Sequence, residues 1–563
     1  MTPGTDGETL DGISSSYISR LSDALKNESF QFRPTRRHLI PKKNGKMRPL
    51  GVPSPRDKVV QEAIRIILEA IYDSPTSPTF VPESHGFREG RSTHTAIEQV
   101  RANWGAPNWV IEGDIKSFFD EINHHTLIQI LRKRISDERF ISLIWKALSA
   151  GYMEDEQFVA SKVGTPQGSI ISPVLANIYL HEFDVAVKKW IAELSNNVKK
   201  RPNPEWRRVV RKRERLMKAS GGEVTEEIKL LTQTIRSLPS QDHNDPNSIR
   251  VSYVRYADDW IIGVTGPKML ANTLKERAQI FLRDELKLEL SMDKTKVTNL
   301  RKGYVHFLGF SLTVPSPKEA KVSDYQSGSF GLKRRVSHGA SIKVNIPLDE
   351  VFTRLKSRGF CDEKGFPTHH KGLLALDLDQ IVAQYNSVMR GIANYYAACT
   401  NFSKLNRVDY ILRYSLAKTL ANKERSSMVK QFQKRGKNLR VKKTIGEKKV
   451  SVSFVNFRSL KRTKFSGEQP NLDRIFIFQT FRTKSRLGVT ECAVKGCSSG
   501  EPVEMHHVKH IRKMGKKVSG FTKLMAQINR KQVPLCTSCH KKVHKGTYDG
   551  LALKDLELSV IYG

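Results

Sequence analysis

Asp258 and Asp259 lie between the apolar runs Ser252-Tyr253-Val254-Arg255-Tyr256 and Trp260-Ile261-Ile262-Gly263-Val264. Strand-like sequence on both sides of a short polar turn predicts a β-hairpin with two adjacent carboxylates at its tip. Asp114 closes another short apolar run, Trp109 to Ile111 followed by Gly113, and opens Ile115-Lys116-Ser117-Phe118-Phe119-Asp120. It is the natural third carboxylate of a metal box. Hard oxygen ligands of this kind suit magnesium. Joining a nucleotide to a 3′ end needs two such ions, one activating the attacking hydroxyl and one holding the triphosphate. Taken alone, an Asp-Asp pair is as readily a surface turn, so its neighbours matter. Gly164-Thr165-Pro166-Gln167-Gly168-Ser169 runs into an apolar helix, and residues 40–49 form a basic hairpin able to close over a triphosphate.

A second constellation lies near the C-terminus. Cys492-x4-Cys497 and Cys536-x2-Cys539 are two close pairs about forty residues apart, and four thiolates so arranged make a closed tetrahedral zinc site that staples a domain too small to build much of a core. Within and after this bracket stand Glu504-Met505-His506-His507, Asn529 and His540-Lys541-Lys542-Val543-His544. Histidines at i and i+4 share one helix face and can hold a second metal. The competing reading is a zinc knuckle that binds nucleic acid without cutting it, but a knuckle does not need both histidine pairs and the asparagine. Cys361 and Cys399 read as packing residues.

The elements that position these groups follow from periodicity. Residues 30 to 320 alternate strand-like and helix-like patterns, which predicts an α+β core. It is interrupted at about 193–248 by a basic helical insertion and loop containing Arg207-Arg208 and Arg211-Lys212-Arg213, either a solvated charged helix or an RNA-contacting one. From about 345 to 422 the apolar spacing turns helical, placing Met389, Ile392 and Tyr396 in a core. Between Lys423 and Arg486 stand 19 Lys and Arg against 4 Asp and Glu, interleaved with Phe432, Phe454, Phe457, Phe465, Phe476 and Phe478. Such a segment is expected to bind phosphates and stack bases.

Composition agrees. With 95 Lys and Arg against 57 Asp and Glu, the 563-residue chain has a formal net charge of +38, and a field of that strength steers in a polyanion. Nucleic acid is the expected partner. A membrane is not, since no apolar run of about 18 residues exists. The N-terminus has neither a secretory nor a transit pattern, and the cysteine pairs suit a reducing compartment.

The ordered blocks RPLGVP (48–53), HGFREGRS (85–92), GDIKSFFDEINH (113–124), GTPQGSIISPVLANIYL (164–180), YVRYADDW (253–260), LSMDKTK (290–296) and FLGF (307–310) resemble the reverse transcriptase and maturase proteins encoded within group II introns. The resemblance implies an α+β right-hand polymerase with fingers and palm over 1–320, an α-helical thumb or maturase domain X over 345–440, a basic DNA-binding segment over 441–486 and a zinc-stapled ββα-metal HNH endonuclease over 487–563. By the same resemblance Asp114, Asp258 and Asp259 bind two magnesium ions, Lys42 and Arg48 contact the incoming dNTP, Gln167 lines its pocket, and Phe119 gates against a ribose 2′-hydroxyl. Lys294 would donate a proton to pyrophosphate or be a surface lysine, and Arg88 and Arg91 would hold template or nucleotide, or else serve as a helix cap or structural ion pair. Tyr385 to Tyr396 is similar to the start of domain X, with Arg390 toward RNA.

In the C-terminal region, similar to HNH nucleases fused to such proteins, Cys492, Cys497, Cys536 and Cys539 hold structural zinc. That resemblance would make His507 the general base that activates water, Asn529 the residue orienting it, and His506, His540 and His544 the ligands of one divalent ion. Intron RNA and target DNA are the implied partners. The expected function is RNA-directed DNA synthesis, splicing and site-specific cleavage in intron mobility, with a splicing-only maturase as the rival. Family members usually carry a longer extension before the Pro3-Gly4-Thr5-Asp6-Gly7 block, so template-binding surface is expected to be missing. The N-terminal block and long insertion point to a mitochondrion, with a bacterial cytoplasm as the alternative.

Overall fold

A computed structural model describes residues 4–6, 8, 14–41, 47–154, 157–160, 163–165, 168–196, 198–242, 245–315, 321–326, 332–337, 341–445, 448–460, 492–494, 496–497, 499, 503–507 and 532–547. The chain divides into two compact units, one of Met1–Ser77, Phe119–Ile178 and Ile477–Gly563, the other of Pro78–Phe118 and Tyr179–Phe476.

The second unit is built on an antiparallel sheet of four strands in the spatial order Arg250–Tyr256, Asp259–Thr265, Trp109–Gly113 and Lys296–Asn299. Six consecutive residues of Asp259–Thr265, from Trp260 to Thr265, are buried, the near-continuous pattern of a strand covered on both faces. Phe183 packs against Trp190, Tyr253, Trp260 and Phe281 with ring centroids 5.2 to 6.3 Å apart. Glycine is required at 113, because a Cβ there would lie 2.0 Å from the Trp260 ring.

Helices Leu348–Ser357, Leu378–Tyr395 and Asn406–Lys423 form the expected helical region. Tyr385 donates or accepts between its hydroxyl and those of Ser415 (2.8 Å) and Thr419 (2.9 Å), joining the last two helices. Met389, Ile392 and Tyr396 are buried as their spacing predicts, while Arg390 is exposed. The basic segment differs from its reading as a base-stacking surface. Val441–Ile445 and Lys448–Val452 pair as a hairpin, Asn386 bonds the Ser453 carbonyl and the Val455 N–H, and Phe454 and Phe457 are buried. These two phenylalanines are core, not stacking platforms; Phe465, Phe476 and Phe478 lie outside the described residues.

In the first unit, Met47–Val52, Thr35–Pro41, Tyr152–Glu154 and Gln157–Val159 make a four-stranded sheet in that order. Ser54 caps helix Pro55–Tyr72, with proline at its first turn, where a missing N–H costs nothing. Among the described residues no helix is long and apolar enough to cross a membrane.

Candidate active sites

The hairpin Arg250–Tyr256/Asp259–Thr265 closes through Ala257 and Asp258, with Tyr256 paired to Asp259. Ala257 takes a left-handed φ of 56°, which a two-residue hairpin turn demands. Asp258 is therefore in the turn and Asp259 begins the next strand. Asp114 follows directly on Trp109–Gly113, whose Gly113 pairs with Trp260, so sheet register brings all three carboxylates to one end of adjacent strands. The Asp114 backbone is held by Ser291, whose N–H donates to its carbonyl at 2.8 Å. Lys294 Nζ, on that same stretch, lies 2.9 Å from Asp114 Oδ2.

The electrostatics are those of crowded anions. The Asp259 carboxyl is pushed up to about 7 by loss of water around it and by the charges of Asp258 and Asp114, with Lys294 opposing. The residue is exposed, so water tempers the first cause and like-charge repulsion is the more durable one. The hydrogen bond to Asp114 holds the Lys294 ammonium above its usual range, against some desolvation. Three carboxylates near enough for Asp258 and Asp114 to disfavour charge on Asp259 would be relieved of that repulsion by a hard divalent cation.

Beneath the turn lies a support that the sequence did not reveal. Arg255 and Asp184 are fully buried and form a bidentate pair, with Nε and Nη2 at 2.7 and 2.6 Å from the carboxylate. Arg255 also donates to the Ala257 carbonyl (2.8 Å) and to Ser84 Oγ (2.9 Å), and Tyr253 donates its hydroxyl to Asp184 (2.7 Å). Every polar group of the pair is occupied, as a buried charge requires. The segment Glu83–Gly86 locks on from outside, since Arg255 N–H donates to Glu83 O and His85 N–H to Arg255 O, each at 2.9 Å. A Cβ on Gly86 would lie 2.2 Å from Ala257 N.

Arg88 serves this same support. Its Nη1 donates to the carbonyls of Val81 (2.9 Å) and Ser84 (2.8 Å), and Arg91 donates to Pro82 O (2.8 Å). Both thus tie down backbone turns.

Of the residues expected at the nucleotide, Phe119 and the backbone of Arg48 are described, both in the first unit. Phe119, half-buried on the short helix Phe118–Glu121, accepts at its carbonyl from Thr165 N–H (2.7 Å), and Gly164 N–H donates to Ile122 O (2.8 Å). Ser169 Oγ and Ile170 N–H both donate to Gln61 Oε1 at 3.1 Å. A Cβ on Gly168 would meet Gly51 O at 2.6 Å, so this turn lies against the strand that carries Arg48. Arg48 itself pairs through its backbone with Ile40; Lys42 and Gln167 lie outside the described residues.

The C-terminal group has its own geometry. The four sulfurs of Cys492, Cys497, Cys536 and Cys539 lie within 4.8 Å of one another, with Cys497 Sγ 3.6 Å from Cys536 Sγ and 3.7 Å from Cys539 Sγ. Sulfurs at about 2.3 Å from a tetrahedral centre would be separated by about 3.8 Å, so the cage fits zinc. Burial pushes the Cys536 thiol up, but hydrogen bonds from the Cys539 N–H and from neighbouring thiols outweigh it and bring it to about 7.

His506, on strand Val503–His507, meets His540 and His544, one turn apart on helix Thr537–Lys545. The Nε2 atoms of His540 and His544 are 3.2 Å apart. Glu504 accepts from His540 Nδ1 at 2.6 Å, which turns the other nitrogen toward its partners. This orienting acid was visible in the sequence as Glu-x-His-His but only the paired strand Gln532–Cys536 brings it to His540. His507 ends the strand, and Asn529 lies outside the described residues.

Comparison with known proteins bears on the reverse transcriptase and maturase parts of the chain. Residues 339–481 match the family described as type II intron maturase, and residues 40–201 match reverse transcriptase (RNA-dependent DNA polymerase). Group II intron-encoded protein LtrA of Lactococcus lactis subsp. cremoris is 35% identical over 560 residues, covering 97% of this chain and 91% of that protein. An uncharacterized 91 kDa protein in a cob intron of Schizosaccharomyces pombe is 36% identical, covering 97% of this chain and 66% of that one. A putative COX1/OXI3 intron 1 protein of Saccharomyces cerevisiae is 35% identical, covering 98% and 66% respectively. Among solved structures, apo telomerase from Candida tropicalis aligns over 73% of this chain and 63% of its own at 13% identity and a TM-score of 0.36, too loose a superposition to carry weight.

Proposed function

The chain belongs to the group II intron maturase and reverse transcriptase family, and from that premise we propose that it copies its own intron RNA into DNA, assists that RNA to splice, and cleaves target DNA to prime the copy. The observation that carries the polymerase reading is the meeting of Asp114, Asp258 and Asp259 at one end of the palm sheet with Lys294 beside them. On this reading residues 1–320 are fingers and palm, 345–440 thumb and domain X, 441–486 a DNA-binding segment and 487–563 an HNH nuclease.

Magnesium bound by the three aspartates would activate the primer 3′ hydroxyl and stabilise the leaving oxygen. The chain's own residues do the rest. Arg255 and Asp184 hold the turn so that the carboxylates stay in place without reorganisation. Lys294, protonated and 68% exposed beside Asp114, is placed to hand a proton to pyrophosphate. Lys42 and Arg48 neutralise the triphosphate, Gln167 lines the base pocket, and the flat ring of Phe119 excludes a 2′-hydroxyl.

For the nuclease, the support is the spacing of sulfurs and imidazoles described above. Zinc on the four cysteines would staple the module, and a divalent ion on His506, His540 and His544 would polarise the scissile phosphate. His507 takes the proton from water, with Asn529 orienting it; neutral imidazole suits that task near pH 7. The relatives come from both a bacterium and fungal introns, and we place this protein in a mitochondrion from its N-terminal block and long insertion. The test is His507→Ala in the full chain with its intron RNA. Bottom-strand cleavage should stop while zinc content and RNA-templated synthesis persist; undiminished cleavage would place the base elsewhere.

A further inference from the structure

Helix Thr93–Asn103 is tied, within the second unit, to two regions far apart in the chain. On one side Thr95 Oγ1 and Gln99 Oε1 lie 2.8 and 2.5 Å from the ring nitrogens of His85, whose N–H donates to the Arg255 carbonyl beneath the Asp258 turn. On the other, His94 Nε2 lies 2.7 Å from the carbonyl of Tyr395, 301 positions away. A carbonyl only accepts, so this imidazole carries its proton on Nε2. Burial outweighs the bond to Tyr395 and pushes the ring down to about 4, which keeps it neutral in ordinary buffers. Tyr395 is the last residue of helix Leu378–Tyr395, where carbonyls lack partners within the helix. His94 supplies one.

The same tyrosine holds a second turn. Phe307 pairs with Phe310, so Leu308 and Gly309 close a two-residue hairpin, with left-handed φ angles of 51° and 75°. Glycine adopts that backbone freely, leucine only under constraint. The constraint comes from two consecutive hydroxyls. Tyr395 donates to the Leu308 carbonyl at 2.7 Å and Tyr396 to the Gly309 carbonyl at 3.2 Å. Phe310 stacks on Tyr395, with centroids 5.0 Å apart and 13° between the rings, and His94 closes the cluster at 5.4 Å from the Tyr395 ring and 6.0 Å from that of Phe310. All four side chains are buried. Directional bonds therefore join the end of the long helix, a strained turn and the helix that braces the catalytic hairpin.

We propose that His94 and Tyr395 are positioning residues for RNA-templated synthesis: as a latch they seat helix Leu378–Tyr395 on the palm, and so fix the primer terminus relative to Asp114, Asp258 and Asp259. The inference rests on the polymerase reading above, in which the primed duplex lies between helical thumb and palm. Neither residue touches substrate; both act through the backbone they hold. Apolar packing alone lets a helix slide, whereas hydrogen bonds fix its register, and a displacement of about 1 Å at a reacting centre can slow a reaction about a hundredfold.

The test is primer extension on a primed RNA template by the full chain, with a trap present so that each product reports one binding event. His94→Leu removes the donor at similar bulk, and Tyr395→Phe removes only the hydroxyl that holds Leu308. Each should add about tenfold fewer nucleotides per binding event and raise KM for the primed template, the scale of leaving one buried polar group unsatisfied. Neither readout depends on how much of a preparation is folded. His94→Gln, whose amide can still donate to the Tyr395 carbonyl, should recover most of both. Should His94→Leu fail to fold, Tyr395→Phe decides alone. Wild-type product length and KM in the folded variants would overturn the latch, as would a fall in kcat alone, or equal defects in His94→Leu and His94→Gln. A wild-type chain that extends no primer would instead overturn the polymerase reading and this inference with it.

Discussion

The palm carboxylates and the C-terminal cysteine and histidine groups are positioned by different forces. Asp114, Asp258 and Asp259 sit on a sheet whose strands are buried by apolar packing, and the turn between them is held by Arg255 and Asp184. No metal is needed to form that scaffold. Among the described residues of the C-terminal module, the apolar core is Val533, Leu535, Cys536 and Cys539, so two of those four belong to the sulfur group. There the candidate ligands are part of the scaffold. On the proposed reading, a polymerase site of the first kind would keep its shape when its ions leave, whereas a zinc-stapled module of the second kind would fold by binding metal.

The sharpest separation of the two is zinc removal. Chelation, or Cys536→Ser with Cys539→Ser, should cost the module an apparent stability of about 10 kcal/mol or more, seen as protease sensitivity within 487–563 and loss of DNA cleavage, while RNA-templated synthesis continues. A module that stays protease-resistant after its zinc is gone would break the comparison. A smaller effect is expected in the palm. Asp184→Ala strands the Arg255 charge in the core and should destabilise the second unit by about 3 to 5 kcal/mol, read by denaturant titration; an unchanged midpoint would mean that the pair does not support the turn. Smaller again is Gly86→Ala. The new methyl meets the Ala257 backbone rather than a flexible side chain, so the turn must shift, at about 1 to 3 kcal/mol. Primer extension should fall without unfolding, and a fully active variant would show that the turn tolerates displacement.

What was legible in the sequence follows the range of the interactions. The Asp258-Asp259 turn and the i, i+4 pair His540 and His544 are local, so periodicity and spacing revealed them. The Arg255–Asp184 pair joins residues 71 positions apart, and Glu504 reaches His540 across 36; no local pattern marks either. For Arg88 the sequence left a ligand-holding and a structural role open, because composition does not show that the carbonyls of Val81 and Ser84 lie within reach of its guanidinium. Phe454 and Phe457 looked like stacking residues because charge around them is high, whereas both are buried, beside a stretch that Asn386 bonds at Ser453 and Val455.

The most direct measurement is RNA-templated primer extension by Asp258→Asn/Asp259→Asn. Amide side chains keep the size of the carboxylates but neither hold divalent ions nor repel one another, so the variant should fold at least as well as wild type and bind intron RNA normally. Synthesis should drop by about a thousandfold or more, the scale of losing electrostatic stabilisation at a reacting phosphate. Undiminished extension by the folded, RNA-bound variant would contradict the assignment of the polymerase to this hairpin.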